Sequence, residues 1–399
     1  MAKREERLYE LLHDSRLSKR EREKNDAILD FIMEQIVSGL GRNRILREIG
    51  LPDYLFDVYM EIAGARLHVK EKFSKWKRIW IDKYASMYST PEIIGVYRAK
   101  RLKGYSIVDI GSGAGLQAVM FSLFTDVVAI ERSKERSEMA MLNAQVYNSD
   151  RFVGRNIDFP FENSDIKIDS SSLIFSDPLR TEAAGFRSLS SLSPNPMELV
   201  KKFSSRTRNF VFDLPPKMNP AEIGMEGEIE YISTDGILSR LTYYSRSVSE
   251  SARRAVLLPE ERVFTGFPER MSFENADRPK TFIYIPDIAI IKAGLVHRIS
   301  GIDQMKLISE DERRLILTSD TDTGKDFPGM KYSVVSTSGG NDLLTKLKEA
   351  NAGRVFMRFR INGGNEYYQM KNQLEKELNG KEDIYLFRHK MEYILAKKS

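Results

Sequence analysis

Three glycines at alternating positions follow a short apolar segment in the first third of the chain. The segment Ile107 to Ile110 predicts a buried strand, and Gly111, Gly113 and Gly115 separate it from a helix that begins at Leu116. Glycine permits positive φ and close approach of the backbone to a ligand, and a helix N-terminus presents unpaired N–H groups. This pattern therefore predicts a loop that binds the polar part of a cofactor.

A second predicted strand, Val127 to Glu131, ends in a carboxylate about twenty residues beyond Asp109, the spacing at which an acid commonly binds a ribose. A dinucleotide fingerprint would need glycine at position 116, where this chain has Leu116. The residues from Asp109 to Gly115 have the form D-x-G-x-G-x-G, which resembles the first motif of the class I methyltransferases. This resemblance implies S-adenosylmethionine as the cofactor. The alternative is an ordinary strand-turn-helix connection within a sheet.

The third predicted strand, Arg151 to Ile157, ends in a second candidate for cofactor binding. Asp158 follows it at the position where methyltransferases of this class commonly bind the adenine amino group. Asn156 is the competing candidate. Strands and helices alternate along this part of the chain, a pattern that predicts a parallel sheet covered by helices.

The fourth predicted strand, Ser172 to Ser176, places Asp177 and Pro178 at the sheet edge where open α/β sheets bind ligands. Methyltransferases that modify a nucleobase amino group often carry Asp or Asn here, followed by Pro-Pro and an aromatic. The acid or amide accepts a hydrogen bond from the amino group, and the aromatic ring stacks on the base. Asp177 and Pro178 match this pattern and are the predicted catalytic residues, whereas Leu179 and Arg180 depart from it and leave the stacking partner unaccounted for.

A second Asp-containing motif begins at Asp213, after the predicted strand Asn209 to Phe212. It could contact the target base or form a rigid turn, and Asp177 is preferred because it follows the fourth strand. Arg180 and Arg187 could bind substrate phosphate, although both could equally be solvated loop charges.

The composition excludes several other kinds of site. The 399 residues carry a formal charge of +5 and no cysteine, so disulfides and thiolate zinc sites are absent. The four histidines are scattered without ligand spacing, and no metal site is expected. No apolar run reaches the length of a membrane span or a signal core, which predicts a cytoplasmic protein without membrane contact. The mild basic excess is compatible with a polyanionic partner.

The chain divides by its patterns into three predicted domains: a helical domain at 1–103, a class I methyltransferase domain with a Rossmann-like seven-stranded sheet at 104–268, and an α/β domain at 280–399. Strands Glu228 to Ile232 and Ala255 to Leu258, separated by the amphipathic segment Ile237 to Tyr244, complete the seven strands. The polar stretch Glu269 to Lys280 predicts a linker.

Both tryptophans of the chain, Trp76 and Trp80, lie in a segment rich in lysine. Cations beside flat rings are typical of a nucleic-acid surface, where the rings stack on unpaired bases. The alternative is a helix with its aromatics in the core, because the two tryptophans are four residues apart and would share a face. Trp76 is therefore a candidate for substrate binding.

The last domain contains no glycine loop or acid pair, and we interpret it as a binding module. Arg358 and Arg360 alternate along the predicted strand Val355 to Phe359 and could follow a phosphate backbone, or this face could pack against the rest of the protein.

The order of these parts is similar to one family over nearly the full length: methyltransferases with an N-terminal helical region and a C-terminal THUMP-like domain. The resemblance is carried by the sequence Tyr97-Arg98-Ala99 after Glu92, by Asp177 to Arg180, by Pro286-Asp287, and by Ala293-Gly294-Leu295. It implies an S-adenosylmethionine-dependent enzyme that methylates a base nitrogen in RNA, most simply tRNA. The alternatives are a small-molecule or DNA methyltransferase, or a non-catalytic RNA-binding protein that retains the cofactor fold.

Overall fold

A computed structural model describes residues 2–161, 166–180, 188–311, 314–361 and 364–399. The chain divides into two compact units. The first comprises Met1–Glu228 and Leu241–Glu250, and the second comprises Ile229–Arg240 and Ser251–Ser399. Hydrophobic clusters of buried residues lie within each unit.

The first hundred residues are helical. The helices are α1 (Ala2–Leu17), α2 (Lys19–Val37), α3 (Arg42–Ile49), α4 (Asp53–His68), α5 (Lys83–Tyr88) and α6 (Glu92–Leu102). Ser18 caps α2 by accepting a hydrogen bond from the Glu21 N–H, which satisfies one of the unpaired donors of the first turn. Leu29 and Ile32 of α2 are buried in the same cluster as Phe56 of α4. Helices α2 and α4 thus pack through buried apolar residues.

The lysine-rich segment between α4 and α5 contains turns rather than the helix considered as an alternative. Trp80 is fully buried, with the Arg66 guanidinium 5.1 Å from its ring centroid. Arg66 also donates to the carbonyl oxygens of Ile79 and Lys77 at 2.8 and 2.6 Å. The buried arginine therefore fixes the path of this irregular segment by satisfying its backbone carbonyls, while Trp76 is partly buried against the same cluster.

The remainder of the first unit alternates strands and helices. These are β1 (Ser106–Ile110), α7 (Leu116–Ser122), β2 (Val127–Glu131), α8 (Lys134–Val146), β3 (Phe152–Asn156), β4 (Ser172–Ser176), β5 (Leu179–Arg180), β6 (Leu192–Ser193), α9 (Pro196–Phe203) and β7 (Asn209–Leu214). Strands β7, β4, β1, β2 and β3 pair in that order, and all of these pairs are parallel. Their carboxyl ends therefore meet at one edge, as the sequence predicts. Strands β7, β4, β1 and β2 are mostly buried, as parallel strands usually are, whereas β3 is partly exposed.

The segment Ile237 to Tyr244, which the sequence does not mark as a strand, forms most of β9 (Ile237–Ser245). It follows β8 (Gly227–Thr234) and pairs antiparallel with β7, with Val211 opposite Tyr244. Its last five residues are all buried. The alternation of polar and apolar residues along it is therefore weaker than in a strand with one exposed face. The part of this strand from Leu241 onward belongs to the first unit.

The second unit contains two groups of strands. Its remaining elements are β10 (Arg253–Leu258), β11 (Arg262–Gly266), β12 (Phe282–Pro286), α10 (Ile288–Ala293), β13 (Lys306–Glu310), β14 (Leu315–Ser319), β15 (Gly329–Ser338), α11 (Leu343–Glu349), β16 (Ala352–Met357), α12 (Gly364–Lys376), β17 (Glu382–His389) and β18 (Glu392–Lys398). Strand β10 pairs with β8 and β11, and the others form a sheet in the order β13-β14-β12-β15-β18-β17-β16.

Strand β16 ends at Met357, so Arg358 and Arg360 follow the strand rather than alternate along it. The expectation that both lie on one face of a strand is therefore wrong. The Arg358 guanidinium lies 5.3 Å from the ring centroid of Tyr385, whereas Arg360 is exposed.

Candidate active site

A cavity of about 660 Å³ lies at the carboxyl ends of β1, β2 and β4. The predicted cofactor residues Asp109, Gly111, Gly113, Glu131 and Asp158 all line it, together with Asp177. These residues come from four separate strand ends, and the parallel pairing of the sheet brings them together.

The glycine loop turns with positive φ at each of its three glycines: +82° at Gly111, +58° at Gly113 and +73° at Gly115. At Gly115 a β-carbon would stand 2.4 Å from the Cβ of Ala140, so the third glycine allows the loop to pack closely against α8. Nothing lies within 4 Å of the corresponding position at Gly113. The third glycine is thus required by packing, and the second faces open space.

Glu131 is 7% exposed and accepts two backbone hydrogen bonds. The Gly113 N–H donates to one carboxylate oxygen and the Ser133 N–H to the other, both at 2.9 Å. Each carboxylate oxygen can accept two hydrogen bonds, so Glu131 retains acceptor capacity on the side that lines the cavity. The residue can hold the loop and accept ligand hydroxyls at the same time.

Asp109 is buried at the floor of the cavity. Burial raises its pKa well above the ordinary value of 3.8, and the nearby carboxylates of Asp177 and Glu131 raise it further, while Arg98 opposes this shift. The carboxylates of Asp177 and Glu131 produce a negative potential beside the glycine loop, which favours a cationic group in the cavity.

Several buried polar atoms that line the cavity have no hydrogen-bond partner within the described ranges. They are Oδ2 of Asp109, Oγ of Ser112 and Nε2 of Gln117. Because unpaired polar atoms are costly inside a protein, these groups fit a polar ligand. Together with Glu131, they suit a nucleoside that carries a charged amino-acid group.

Asp158 and Asn156, the two candidates for the adenine, have different surroundings. Asp158 lines the cavity. The Asn156 amide donates to the carbonyl oxygens of Glu131 and Arg132, both at 2.9 Å, and so supports the end of β2. This geometry favours Asp158 as the ligand contact.

Asp177 lines the cavity, as does Leu179, whereas Pro178 is buried and is not among the described residues that form the cavity wall. The backbone of Arg180 lies in β5, but its side chain and the whole of Arg187 fall outside the described residues. Of the predicted substrate residues on this loop, the structure thus places Asp177 beside the cofactor residues.

Asp213, the alternative to Asp177, lies in a buried ion pair. Its Oδ1 accepts from Nη2 of Arg98 and from the Thr242 hydroxyl, both at 2.6 Å. Arg98 is fully buried and also donates to Gln117 at 2.8 Å. Asp213 is not among the described residues lining the cavity. The Arg98–Asp213 pair therefore contacts the cavity wall indirectly, through the hydrogen bond from Arg98 to Gln117.

Two tyrosines of α5 reach the cavity without having been predicted. Tyr84 and Tyr88 pack together with ring centroids 4.7 Å apart, and both are exposed. The Arg136 guanidinium lies 5.1 Å from the Tyr84 ring centroid and donates to Asp82 at 2.8 Å. Ser89 and Thr90, which precede α6, line the same cavity.

The segment from Ser190 to Glu198 also lines the cavity. Pro194 Cδ lies 3.5 Å from the position that a β-carbon would take at Gly111, so this segment packs against the first glycine of the loop. It carries Asn195, which the sequence did not single out.

Comparison with known proteins agrees with this geometry. The model of a family described as RNA cap guanine-N2 methyltransferase matches residues 104–225, which contain the glycine loop, Glu131, Asp158 and Asp177. This part of the chain is a class I S-adenosylmethionine-dependent methyltransferase domain. The predicted enzyme class and cofactor are thereby confirmed, and RNA base methylation is supported as the type of reaction.

One curated protein and one solved structure are also similar to this methyltransferase. Trimethylguanosine synthase of Schizosaccharomyces pombe is 28% identical over 165 residues, which cover 38% of this chain and 69% of that protein. The crystal structure of a protein from Porphyromonas gingivalis W83, described as a methyltransferase, has a TM-score of 0.70 at 16% identity. It covers 94% of this chain and 98% of its own, so the fold is shared over nearly the full length.

Two further observations concern the part of the chain that the structure describes. No helix there combines the length and apolar composition that a membrane crossing requires. Nor do three or more His, Cys, Asp or Glu side chains come together there in a way that could bind a metal.

Proposed function

We propose that this methyltransferase modifies a guanine base in RNA at its exocyclic amino group, N2. The observation that carries the proposal is the position of Asp177, which lines the same cavity as the glycine loop and Glu131. A carboxylate can accept a hydrogen bond from an amino group, and the family match supports RNA and guanine N2 as the target.

The chain's own residues bind and orient the reactants. Glu131 would accept the ribose hydroxyls, Asp158 would contact the adenine amino group, and the N–H groups at the start of α7 would face the amino-acid carboxylate. When bound, S-adenosylmethionine supplies a methyl group attached to a cationic sulfonium. The negative potential from Glu131 and Asp177 favours that cation.

Asp177 would hold the target amino group by accepting a hydrogen bond from one of its N–H bonds. Fixing two reactants in one orientation contributes several kcal/mol to catalysis, up to about 7 to 11 in well-oriented systems. The carboxylate would also stabilise positive charge that develops on the nitrogen, and it could accept the proton that the methylated nitrogen releases. A target base in folded RNA would have to be flipped into the cavity at a cost of a few kcal/mol.

The RNA substrate is most simply tRNA, which rests on the THUMP-like resemblance of the C-terminal region. Trp76, Arg180, Arg187, Arg358 and Arg360 remain proposed RNA contacts. Within the described residues, Arg360 is exposed and Trp76 is partly buried. Arg354, nearby in the chain, is already paired with Asp383 at 2.7 Å. Arg358 packs on the Tyr385 ring, whereas Arg360 is exposed. Of these two arginines, Arg360 is therefore the better candidate for a phosphate contact.

The test is methyl transfer from labelled S-adenosylmethionine to tRNA, rRNA, capped RNA and DNA, followed by nucleoside analysis. The proposal predicts label in N2-methylguanosine from RNA, and Glu131→Ala serves as a control with weakened cofactor binding. Label only in DNA, or turnover of a small molecule without RNA, would favour a different methyltransferase. RNA binding without transfer would indicate a non-catalytic protein.

A further inference from the structure

Asp177 and Asn195 lie just beyond the same end of a short antiparallel ladder. Strands β5 and β6 pair Leu179 with Ser193 and Arg180 with Leu192. Asp177 precedes Leu179 by two residues and Asn195 follows Ser193 by two residues, and both line the cavity. The two side chains can therefore contact one small planar group.

The orientation of the Asn195 amide is fixed by a helix cap. Its Oδ1 accepts a hydrogen bond from the Met197 N–H at 2.8 Å, and Pro196 occupies the first turn of α9. Only the amide oxygen can accept from this N–H, so the assignment of oxygen and nitrogen follows from the cap. The Nδ2 group then has two N–H donors that make no hydrogen bond to the described part of the chain.

We infer that Asn195 is a specificity-determining residue that donates a hydrogen bond from Nδ2 to O6 of the target guanine. This inference rests on the proposed function and deepens it. The edge of guanine carries donors at N2 and N1 and an acceptor at O6. Asp177 accepts from the donor side while Asn195 donates to the acceptor side. Adenine presents an amino donor where guanine has O6, so it would place a donor against the Asn195 donor.

Two substitutions remove the donor and keep the cap. Asp and Ser cap helices about as well as Asn, so Asn195→Asp and Asn195→Ser should preserve the start of α9. Asn219 provides a matched control, because it also precedes a proline and caps a single helical turn by accepting from the Ala221 N–H at 3.1 Å. It is exposed and is not among the described cavity residues. Asn219→Asp makes the same chemical change away from the site.

The experiment compares methyl transfer to two short RNAs that carry guanine or 2-aminopurine at the modified position. 2-Aminopurine keeps the amino group and lacks both O6 and the N1 hydrogen, so the part of the preference that depends on Asn195 reports the contact with O6. Wild type and Asn219→Asp should prefer guanine by about tenfold, the value of one hydrogen bond near 1.4 kcal/mol. Both Asn195 variants should lose most of this preference while their cofactor affinity stays at the wild-type value.

The ratio of the two rates separates specificity from general damage, since a folding defect lowers both rates together. An unchanged preference for guanine in both Asn195 variants would overturn the inference, as would a parallel loss on both RNAs. Absence of N2-methylguanosine in the wild-type reaction would instead remove the proposed function itself. The two failures are therefore distinguishable in one set of measurements.

Discussion

The backbone N–H of Gly113 donates to the Glu131 carboxylate at 2.9 Å. The acid at the end of β2 thereby holds the middle of the loop that follows β1. One residue thus links two neighbouring strand ends and lines the cavity that they form. This relationship explains why a carboxylate is needed at position 131 both for the shape of the loop and for ligand binding.

Replacing Glu131 should weaken cofactor binding. Glu131→Ala removes the acceptor for the ribose hydroxyls, and we expect the binding free energy to fall by about 1.5 to 3 kcal/mol, the range for charged hydrogen bonds. Titration calorimetry with S-adenosylmethionine measures this directly. Glu135→Gln is a suitable control, because Glu135 contacts Ser133 but is not among the described cavity residues. Unchanged affinity in Glu131→Ala would rule out its assigned role.

Two glycines of the loop should respond differently to alanine. Gly115→Ala forces a β-carbon to within 2.4 Å of Ala140 Cβ in a backbone with φ of +73°. Since that contact requires the loop or α8 to move, we expect a loss of stability of several kcal/mol. Gly113→Ala meets no atom within 4 Å, and its left-handed backbone alone costs about 1 to 2 kcal/mol.

Thermal unfolding and calorimetry distinguish the two variants. Gly113→Ala should remain folded and lose cofactor affinity, because the added methyl group occupies space beside the ligand. Gly115→Ala should show a clearly larger drop in melting temperature than Gly113→Ala. Equal stability of the two variants would show that the packing of Gly115 on Ala140 is not important.

Asp109 should make the stability of the ligand-free protein depend on pH. Its pKa is raised in the folded state, chiefly by burial, so the folded protein holds this proton more tightly than the unfolded chain. Stability from this group is complete below its unfolded pKa of about 4 and is lost as pH rises through the raised folded pKa.

Asp109→Asn should remove this loss. Relative to wild type, the variant should gain stability as the pH rises from about 4 towards the raised folded pKa, as measured by thermal or chemical unfolding without cofactor. The exposed Asp126, which precedes β2, supplies the control substitution Asp126→Asn. If the stability difference between Asp109→Asn and wild type does not change with pH, the buried carboxylate is not responsible.

The cofactor half of the site could be predicted because its signals are local in sequence. The glycines of 111–115, the acid at 131 and the acid at 158 each follow directly from a strand end, and parallel pairing places strand ends together. The N-terminal helices could be predicted for a similar reason, since burial on one face of a helix leaves a regular spacing of apolar residues.

The remaining features depend on contacts between distant parts of the chain. Arg98 and Asp213 are 115 positions apart and form a buried pair, so the sequence could not distinguish Asp213 from a residue that contacts substrate. Tyr84 and Asn195 reach the cavity only through the packing of α5 and the β5 to β6 ladder. The segment around Trp76 is irregular because the buried guanidinium of Arg66 donates hydrogen bonds to the backbone carbonyls of that segment. No spacing of residues in the sequence predicts this arrangement.

Single-turnover methyl transfer by Asp177→Ala, with cofactor affinity measured on the same sample, tests most directly whether Asp177 holds the target base. Transfer to RNA should fall by about two orders of magnitude, the scale for loss of a charged hydrogen bond at a reacting centre, and cofactor affinity should stay near wild type. Asp213→Ala is the comparison, and it should lower stability by about 3 to 5 kcal/mol because it leaves Arg98 buried without this partner. Full transfer activity in Asp177→Ala, or loss of activity and cofactor affinity by the same factor, would contradict the proposed site.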